Sequence, residues 1–556
     1  MNDKITQAIE QVCKQLFDSD VVVALERPDE QFGDVATNVA MQLAGTLGEN
    51  PRQIAEKIAA GLRETVADMV DEITVAGPGF LNIRLSDQEL WKATQHSPLQ
   101  KYAGQKIVAE YSDPNPFKIL HAGHIFTTVI GDAIAKLLEL AGAEVHRVNF
   151  GGDVGLHVAK TMYIVLQQFD GENPTKLADI PEEKRSEWIA DAYVKGHAAY
   201  LDDEAAKAAI IELNKCVYQL HADDDHDSPF AQIYWTCRQW SYEAFDVFYE
   251  RLGTKIEKYY PESETTELGM EAVTKHIGDV FEKSEGAIIF RGEKYGLHNR
   301  VFINQQGLPT YETKDVGLIL KKYQDYHFDR SVVITGNEQE QYMGVVLKAI
   351  EQFLPKLAQA TTYIPHGMLK LTGGVKMSSR LGNIVRANDV LDITAEALRE
   401  SGHKPEDYML LAAIKYAFLK VRLGRDLVYD PKESVALEGN SGPVILYARA
   451  RARSILKKAA AAVDTSNNTA LEANERSLLR KITEYTEATN KAIEELMPHN
   501  ICTYLYELAQ DFNRFYEHNR VLGDPREAVR LRLVASYADT LQAGLQLLNI
   551  TASDEI

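Results

Sequence analysis

Residues 105–151 constrain the fold more than any other stretch of this chain. KIVAEYS is a short apolar strand, SDPNPFK is turn chemistry, a helical pattern runs from about His121 to Ala141, and EVHRVNF is a second strand. A strand, loop, helix and strand in that order form one unit of a parallel sheet. Strand signals return downstream at GAIIF, RVFIN, SVVIT and TTYIP, separated by helical DVGLILKKYQ and EQYMGVVLKAIEQFL, while residues from about 160 to 285 are mostly helical and acidic. The pattern predicts an α/β fold: a doubly wound, Rossmann-type parallel sheet with a helical insertion between its halves.

At 556 residues the chain is too long for one domain. Residues 1–103 read as a small α/β unit, with helices at ITQAIEQVCKQLF and PRQIAEKIAAGLRETV and strands at VVVAL and FLNIRLS. Residues 104–386 hold the parallel sheet and its insertion, 387–440 a helical connector, and 441–556 an α-helical bundle. No run of 18 apolar residues occurs, and the amphipathic start carries Asp3 and Glu10, so neither a membrane span nor a secretory signal is expected. The four cysteines form no C-x-x-C pair, which argues against a disulfide framework and a thiolate zinc site and for a reducing cytoplasm. Cys216, His221, His226 and Cys237 flank the acidic run HADDDHD, but their spacing fits no zinc pattern, and the run reads as a solvated loop.

A net charge of −21 argues against non-specific polyanion binding. The last domain is nevertheless close to neutral, and its YARARARSILKK sets Arg449, Arg451, Arg453, Lys457 and Lys458 on little more than two helical turns. Taken alone, that stripe is either a solvated helix face or an RNA-binding patch.

The chemistry concentrates in SDPNPFKILHAGH, Ser112 to His124, where a strand end meets a helix start. Helix N-termini offer free N–H groups and a positive dipole end to phosphate. His121 and His124 lie on one face of the first turn, Gly123 leaves room for a nucleotide, and Lys118 adds a cation. An isolated H-x-G-H also arises by chance. A second segment, VKMSSRLGNIV, carries Lys376, Met377, Ser378, Ser379 and Arg380 after the last sheet strand, and alone it is a basic turn.

Together the two segments resemble the paired signatures of class I aminoacyl-tRNA synthetases, in which two imidazoles from one half and a mobile basic loop from the other grip ATP. Further residues resemble the arginyl-tRNA synthetases. Ser112, Pro114 and Asn115 match that family's Ser-x-Pro-Asn, and NFGGDVG is similar to its Gly-Asp-Trp-Gly with Val154 in place of the tryptophan. LPTYETKDVG resembles its Tyr-x-x-x-Asp element at Tyr311 and Asp315, with Gln339 at the amide position and Glu262 of YYPES as a second carboxylate. Charge chemistry supports such a set independently, because two carboxylates and a phenol suit a planar guanidinium better than an ammonium. Ser379 stands where the class has a second lysine, and Lys118 occupies the place of the lysine thought to compensate for it. FGDVATN, Phe32 to Asn38, resembles the family's N-terminal domain, which contacts the tRNA elbow. SGPVILYARARARSIL resembles its anticodon-binding bundle, with Tyr447, Ala448 and Arg451 in matching positions and Arg449 and Arg453 as further tRNA contacts. In the later helical stripe Tyr504, Phe512 and Phe515 are expected to pack in the core.

The resemblance implies an arginine–tRNA ligase acting as a cytoplasmic monomer. Its substrates would be L-arginine, ATP with Mg²⁺, and tRNA(Arg), with no protein-bound zinc. His121, His124, Lys118 and Lys376 would stabilise the phosphates; Gly123, Met377, Ser378, Ser379 and Arg380 would contact ATP; and Ser112, Asn115, Glu262, Tyr311, Asp315 and Gln339 would hold arginine. Two rivals stay open: a small nucleotidyltransferase of the H-x-G-H superfamily, disfavoured by the length, and a catalytically idle RNA-binding relative, disfavoured by the full set of phosphate-gripping residues.

Overall fold

The computed structural model describes residues 2–372, 385–459, 463–467 and 469–553. The N-terminal unit packs α1 (Asn2–Phe17), α2 (Val39–Leu47) and α3 (Pro51–Thr65) on an antiparallel sheet ordered β1 (Val35–Thr37), β3 (Phe80–Leu85), β2 (Val70–Ala76), and ends in α4 (Asp87–Ala93). Asn50 caps α3 by accepting from the Arg52 N–H, Pro51 occupies the first helical position, and Ile54, Ile58 and Leu62 form the buried stripe. VVVAL is not a strand: Val22 is 85% exposed, and only Glu26 bridges to Ala36. DEITVA supplies the strand instead, because its alternation matches a sheet with one solvated face.

Five parallel strands form the central sheet in the order β11 (Thr361–His366), β10 (Arg330–Gly336), β4 (Lys106–Glu110), β5 (Glu144–Gly151), β6 (Lys258–Pro261). Ile107, Val108 and Ala109 are all fully buried, as a central strand covered on both faces requires. One face packs on α5 (Ala122–Leu140), the other on α11 (Tyr311–Tyr326) and α12 (Glu340–Phe353). The order reverses at β4, and ligands bind in such sheets at that switch point, beyond the strands' carboxyl ends.

The structure corrects two sequence expectations about strands. GAIIF and RVFIN do not join the parallel sheet; as β8 (Ala287–Phe290) and β9 (Arg300–Ile303) they form an antiparallel sheet with β7 (Glu282–Ser284). Strand propensity marks an extended segment but not its partner. Conversely β6 lies inside the span read as mostly helical, where no strand was singled out. The inserted helices are α6 (Leu156–Gln168), α7 (Arg185–Asp202), α8 (Glu204–Ala222) and α9 (Pro229–Leu252), around their own apolar core. After β6 comes α10 (Glu262–Lys275), and α13 (Pro355–Ala360) precedes β11.

Beyond the sheet, β12 (Leu369–Leu371) pairs with β13 (Leu427–Tyr429), and α14 (Ala387–Glu400), α15 (Asp407–Leu419) and α16 (Pro431–Ser434) connect to the terminal bundle. The bundle comprises α17 (Gly442–Lys458), α18 (Ala473–Thr483), α19 (Tyr485–Glu495), α20 (His499–His518) and α21 (Glu527–Leu547). Tyr504, Phe512 and Phe515 are buried in it as expected, with the Phe512 ring stacked on Tyr537. The N-terminal unit docks on α18 and α19: Arg476 donates to Asp34 and Asp87 at 2.5 Å each, and Arg27 to Glu487 at 2.7 Å. Among the described residues no helix is long and apolar enough to cross a membrane.

Candidate active site

The loop from β4 to α5 is built under backbone strain. Ser112, Asp113 and Phe117 have φ of 76°, 49° and 64°, left-handed values that non-glycine residues rarely adopt. Three side chains hold it there. Tyr249 of α9 donates to Ser112 Oγ at 2.9 Å, the Phe117 N–H donates to Ser241 Oγ at 3.1 Å, and Thr161 Oγ1 donates to the Phe117 carbonyl at 3.0 Å.

The loop ends at His121, which caps α5. Its Nδ1 accepts from the Gly123 N–H at 3.1 Å, and His124 Nδ1 accepts from the His121 N–H at 3.0 Å, a capping box made of two imidazoles. The rings stack with centroids 3.8 Å apart. Burial pushes both pKa values down, His124 well below the usual range, and Lys118 adds to the shift in each. Both rings are therefore neutral near pH 7, and because each Nδ1 accepts, the proton sits on Nε2. The result is a pair of stacked imidazoles with Nε2–H groups left as donors, while the first N–H groups of α5 are engaged within the protein: Ala122 donates to the Val385 carbonyl at 2.8 Å, Gly123 to His121 Nδ1, and His124 to the His121 carbonyl at 2.9 Å.

A cavity of about 1120 Å³ opens beyond the ends of β4 and β10. Ser112, His121, Gly123 and His124 line one side; Tyr311, Asp315 and Gln339 line the other. Sequence reasoning missed Glu110, Asp113, Arg300, Glu338, Tyr342 and His366, which also form the wall. Glu110 and Asp113 flank the strand end and were findable there; Tyr342 and His366 carry no local signal. Leu371 and Val385 line it too, on either side of the segment holding Lys376, Met377, Ser378, Ser379 and Arg380, which lies outside the described residues.

Burial and the nearby Glu110 raise the Asp315 carboxyl to about 7, although the Tyr342 hydroxyl donates to its Oδ2. Burial and Glu110 also push Asp113 well above the carboxylate range. Glu110 itself is bound by Lys322.

Three expected site residues do not reach the cavity wall. Glu262 pairs with Lys314 at 2.6 Å, both nearly sealed from solvent, so this acid is held by an internal cation. Lys314 Nζ also lies 5.3 Å from the Tyr311 ring centroid. The contact arises because Gly269 and Gly317 let α10 and α11 approach backbone to backbone: a Cβ at either would sit about 2 Å from a carbonyl oxygen of the other helix. Asn115 Oδ1 accepts from the Gly152 N–H at 2.6 Å, and a Cβ on Gly152 would press on it and on Glu262. Lys118 lies over Tyr193, its pKa lowered by burial. Val154 is buried in the insertion core that also contains Phe117. The neighbouring Asp153, fully buried, accepts from Ser263 Oγ at 2.7 Å and Arg238 Nε at 3.0 Å, joining α9 to the start of α10.

The expected RNA contacts lie elsewhere. Phe32 is 48% exposed, and Asn38 accepts from Gln42 at the start of α2. Tyr447 reaches His403, and Arg451 is exposed. Arg453 pairs with Asp539 at 2.9 Å, whereas Arg449 is buried and donates to the Ser553 carbonyl at 3.0 Å. Arg449 is thus a structural residue of the bundle and not part of an exposed stripe, because its position on α17 faces inward.

Three family models match the chain. They are described as tRNA synthetases class I (R), catalytic domain, over residues 87–410; DALR anticodon binding domain, over 445–556; and Arginyl tRNA synthetase N terminal domain, over 1–85. An arginine–tRNA ligase of Phocaeicola vulgatus is 27% identical over the whole of both chains, and one of Flavobacterium psychrophilum is 29% identical, covering 91% of this chain and 90% of its own. Among solved structures, a Thermus thermophilus arginyl-tRNA synthetase superposes over all of both chains with a TM-score of 0.78 at 23% identity. One from Plasmodium falciparum covers all of this chain and 99% of its own, with a TM-score of 0.77 at 20% identity.

Proposed function

The chain belongs to the arginyl-tRNA synthetase family, and from that premise we infer how its cavity carries out the family's reaction. It acts as an ATP-dependent arginine–tRNA ligase. A carboxylate oxygen of L-arginine attacks the α-phosphorus of ATP, the bond from that phosphorus to the bridging oxygen breaks, and pyrophosphate leaves. A hydroxyl of the terminal tRNA adenosine then attacks the arginyl carbonyl and AMP departs. Neither step needs a nucleophile from the protein, so the enzyme works by positioning and by stabilising phosphate charge.

The observation that carries the site assignment is one cavity joining two neutral imidazole donors at a helix start to an acid and a phenol across the sheet. His121 and His124 donate from Nε2 to phosphate oxygens without the reorganisation a charged ring would need. Gly123 admits the nucleotide to the backbone. Lys376 and Arg380 supply cations to the departing pyrophosphate, Lys118 adds its positive charge from behind the wall beside the two imidazoles, and Met377, Ser378 and Ser379 complete the ATP contacts, with Mg²⁺ arriving as part of the ATP substrate. Ser112, Tyr311, Asp315 and Gln339 hold arginine, and Asn115 and Glu262 support this set from behind the wall. Residues 1–103 take the tRNA elbow, 104–386 the chemistry and 441–556 the anticodon, with 387–440 between them, in a cytoplasmic monomer.

Charging of total tRNA with labelled arginine, lysine or cysteine, assayed in parallel with ATP and Mg²⁺, tests the reading. Incorporation of arginine alone is expected. Charging with lysine or cysteine would overturn the pocket, and no charging at all would turn the chain into an idle relative.

A further inference from the structure

The acids around the cavity are unequally matched with cations. Glu110 is bound by Lys322, Glu262 by Lys314, and Glu312 faces Arg300 at 3.4 Å. Glu338 stands exposed at the mouth. Inside, Asp113 and Asp315 line the wall with no ion-pair partner among the described residues. Each has one oxygen engaged by a neutral donor: Asp113 Oδ1 accepts from the Phe150 N–H at 2.8 Å, and Asp315 Oδ2 from the Tyr342 hydroxyl. The other oxygen of each has no hydrogen-bond partner among the described residues.

L-Arginine brings two cations, a guanidinium at one end and an α-ammonium at the other. The α-ammonium shares its carbon with the carboxylate that must meet the α-phosphate, so its counter-ion has to stand on the phosphate side of the cavity. Asp113 does: it directly follows Ser112 at the end of β4, on the loop that ends at His121 and His124. Asp315 stands across the cavity in the first turns of α11. We propose that Asp113 is the counter-ion of the substrate's α-ammonium, so that the two unmatched acids inside the cavity, as distinct from the exposed Glu338, answer the two cations of arginine. This rests on the reading that Asp315 receives the guanidinium. The left-handed φ of Asp113 fits it, since strain of this kind is kept where a side chain has to be aimed. The upward shifts of both carboxyls, caused first by burial and then by Glu110, are what acids short of a cation show.

The test measures aminoacylation by the full-length enzyme and its Asp113→Asn and Asp315→Asn variants. The probes are L-arginine as substrate and 5-guanidinopentanoate, which keeps the guanidinium and carboxylate but lacks the α-ammonium, as competitive inhibitor. Asparagine preserves the acceptor for the Phe150 N–H, so the melting temperature of Asp113→Asn is expected to match or exceed the wild type; if that variant does not fold, Asp113→Ser takes its place. Asp113→Asn should raise KM for arginine by about 10²-fold, the scale for removing one partner of a buried charge pair, with KM for ATP and Ki for 5-guanidinopentanoate within about twofold of wild type. Asp315→Asn should weaken both ligands. Equal weakening of arginine and the deamino analogue by Asp113→Asn, no change in either, or a shift in KM for ATP instead would overturn the proposal. An unaltered Asp315→Asn would overturn the guanidinium assignment and leave the Asp113 result to be read by itself.

Discussion

Glu475 in the terminal bundle and Asp315 in the cavity wall are both buried acids, yet their surroundings treat them in opposite ways. Glu475 lies in the first turn of α18 and receives Arg526 and Arg530, two guanidinium groups that fill its oxygens. Burial pushes its pKa up, but those hydrogen bonds outweigh burial and hold it below the usual range. Asp315 receives only the Tyr342 phenol among the described residues, and burial raises its pKa to about 7. A buried acid with its cations supplied by the chain locks elements together; one left short of a cation is prepared for a cationic ligand.

The largest effect that could break this contrast is on stability. Removing the Glu475 charge leaves Arg526 and Arg530 only the more exposed carboxylates of Glu472 and Asp524, and Glu475→Gln should destabilise the fold by about 3–5 kcal/mol in urea unfolding. Aminoacylation under conditions where the variant stays folded should change less than about twofold. Asp315→Asn should do the reverse. It should lower kcat/KM for arginine by ~10²–10³ while leaving the unfolding midpoint unchanged or higher, because among the described residues the acid it replaces has no ion-pair partner. If Asp315→Asn instead unfolds the protein with unaltered specific activity, the distinction between the two acids is lost.

The two acids also predict opposite responses to pH. A carboxyl raised in the folded state binds more protons there than in the unfolded chain, so its contribution lowers stability as pH rises from about 4 to about 7. A lowered one binds fewer, so the stability it confers is present above the unfolded value and is lost as pH falls towards the folded one. Relative to wild type, Asp315→Asn should gain roughly 1–3 kcal/mol between about pH 5 and about pH 7. Glu475→Gln should instead narrow its deficit as the medium is acidified below about pH 4. In activity assays, KM for arginine should rise as pH falls below about 7, since Asp315 must lose its proton before it meets the guanidinium. Parallel denaturation curves at several pH values, with both variants moving in the same direction, would refute the contrast.

What the sequence revealed follows the range of each interaction. His121, Gly123 and His124 lie within four residues and their capping geometry is local, so strand end, turn and helix start disclosed them. The two halves of the sheet were readable because buried strands advertise themselves as apolar runs. Partner choice was not: RVFIN looks like SVVIT, but only the latter pairs with β4. Charge matching was hidden for the same reason. Lys314 sits between Tyr311 and Asp315 in the chain, yet its claim on Glu262 depends on two glycines that bring α10 against α11. Asp34 of the FGDVATN segment likewise meets its partner Arg476 from the far end of the chain, so this segment also docks the N-terminal unit on the bundle.

The smallest predicted effect applies the same rule within one helix. Arg449 and Arg451 are two residues apart on α17, and sequence alone assigns both to a basic stripe. Arg449 turns into the bundle and donates to the Ser553 carbonyl, whereas Arg451 stays exposed, with Nη1 donating to Asn513 at 3.0 Å and its guanidinium 5.9 Å from the Tyr516 ring centroid. A buried cation held by a backbone carbonyl has little left for phosphate; one at the surface can exchange a neutral amide for an anionic oxygen and release a counter-ion from the RNA. Arg451→Ala should therefore weaken tRNA binding a few-fold and reduce the slope of log affinity against log salt by about one. Arg449→Ala should lower the melting temperature and leave that slope unchanged. If Arg449→Ala flattens the salt dependence at constant stability while Arg451→Ala does not, burial has misassigned the pair, and the stripe acts on RNA in a conformation of α17 different from the one described here.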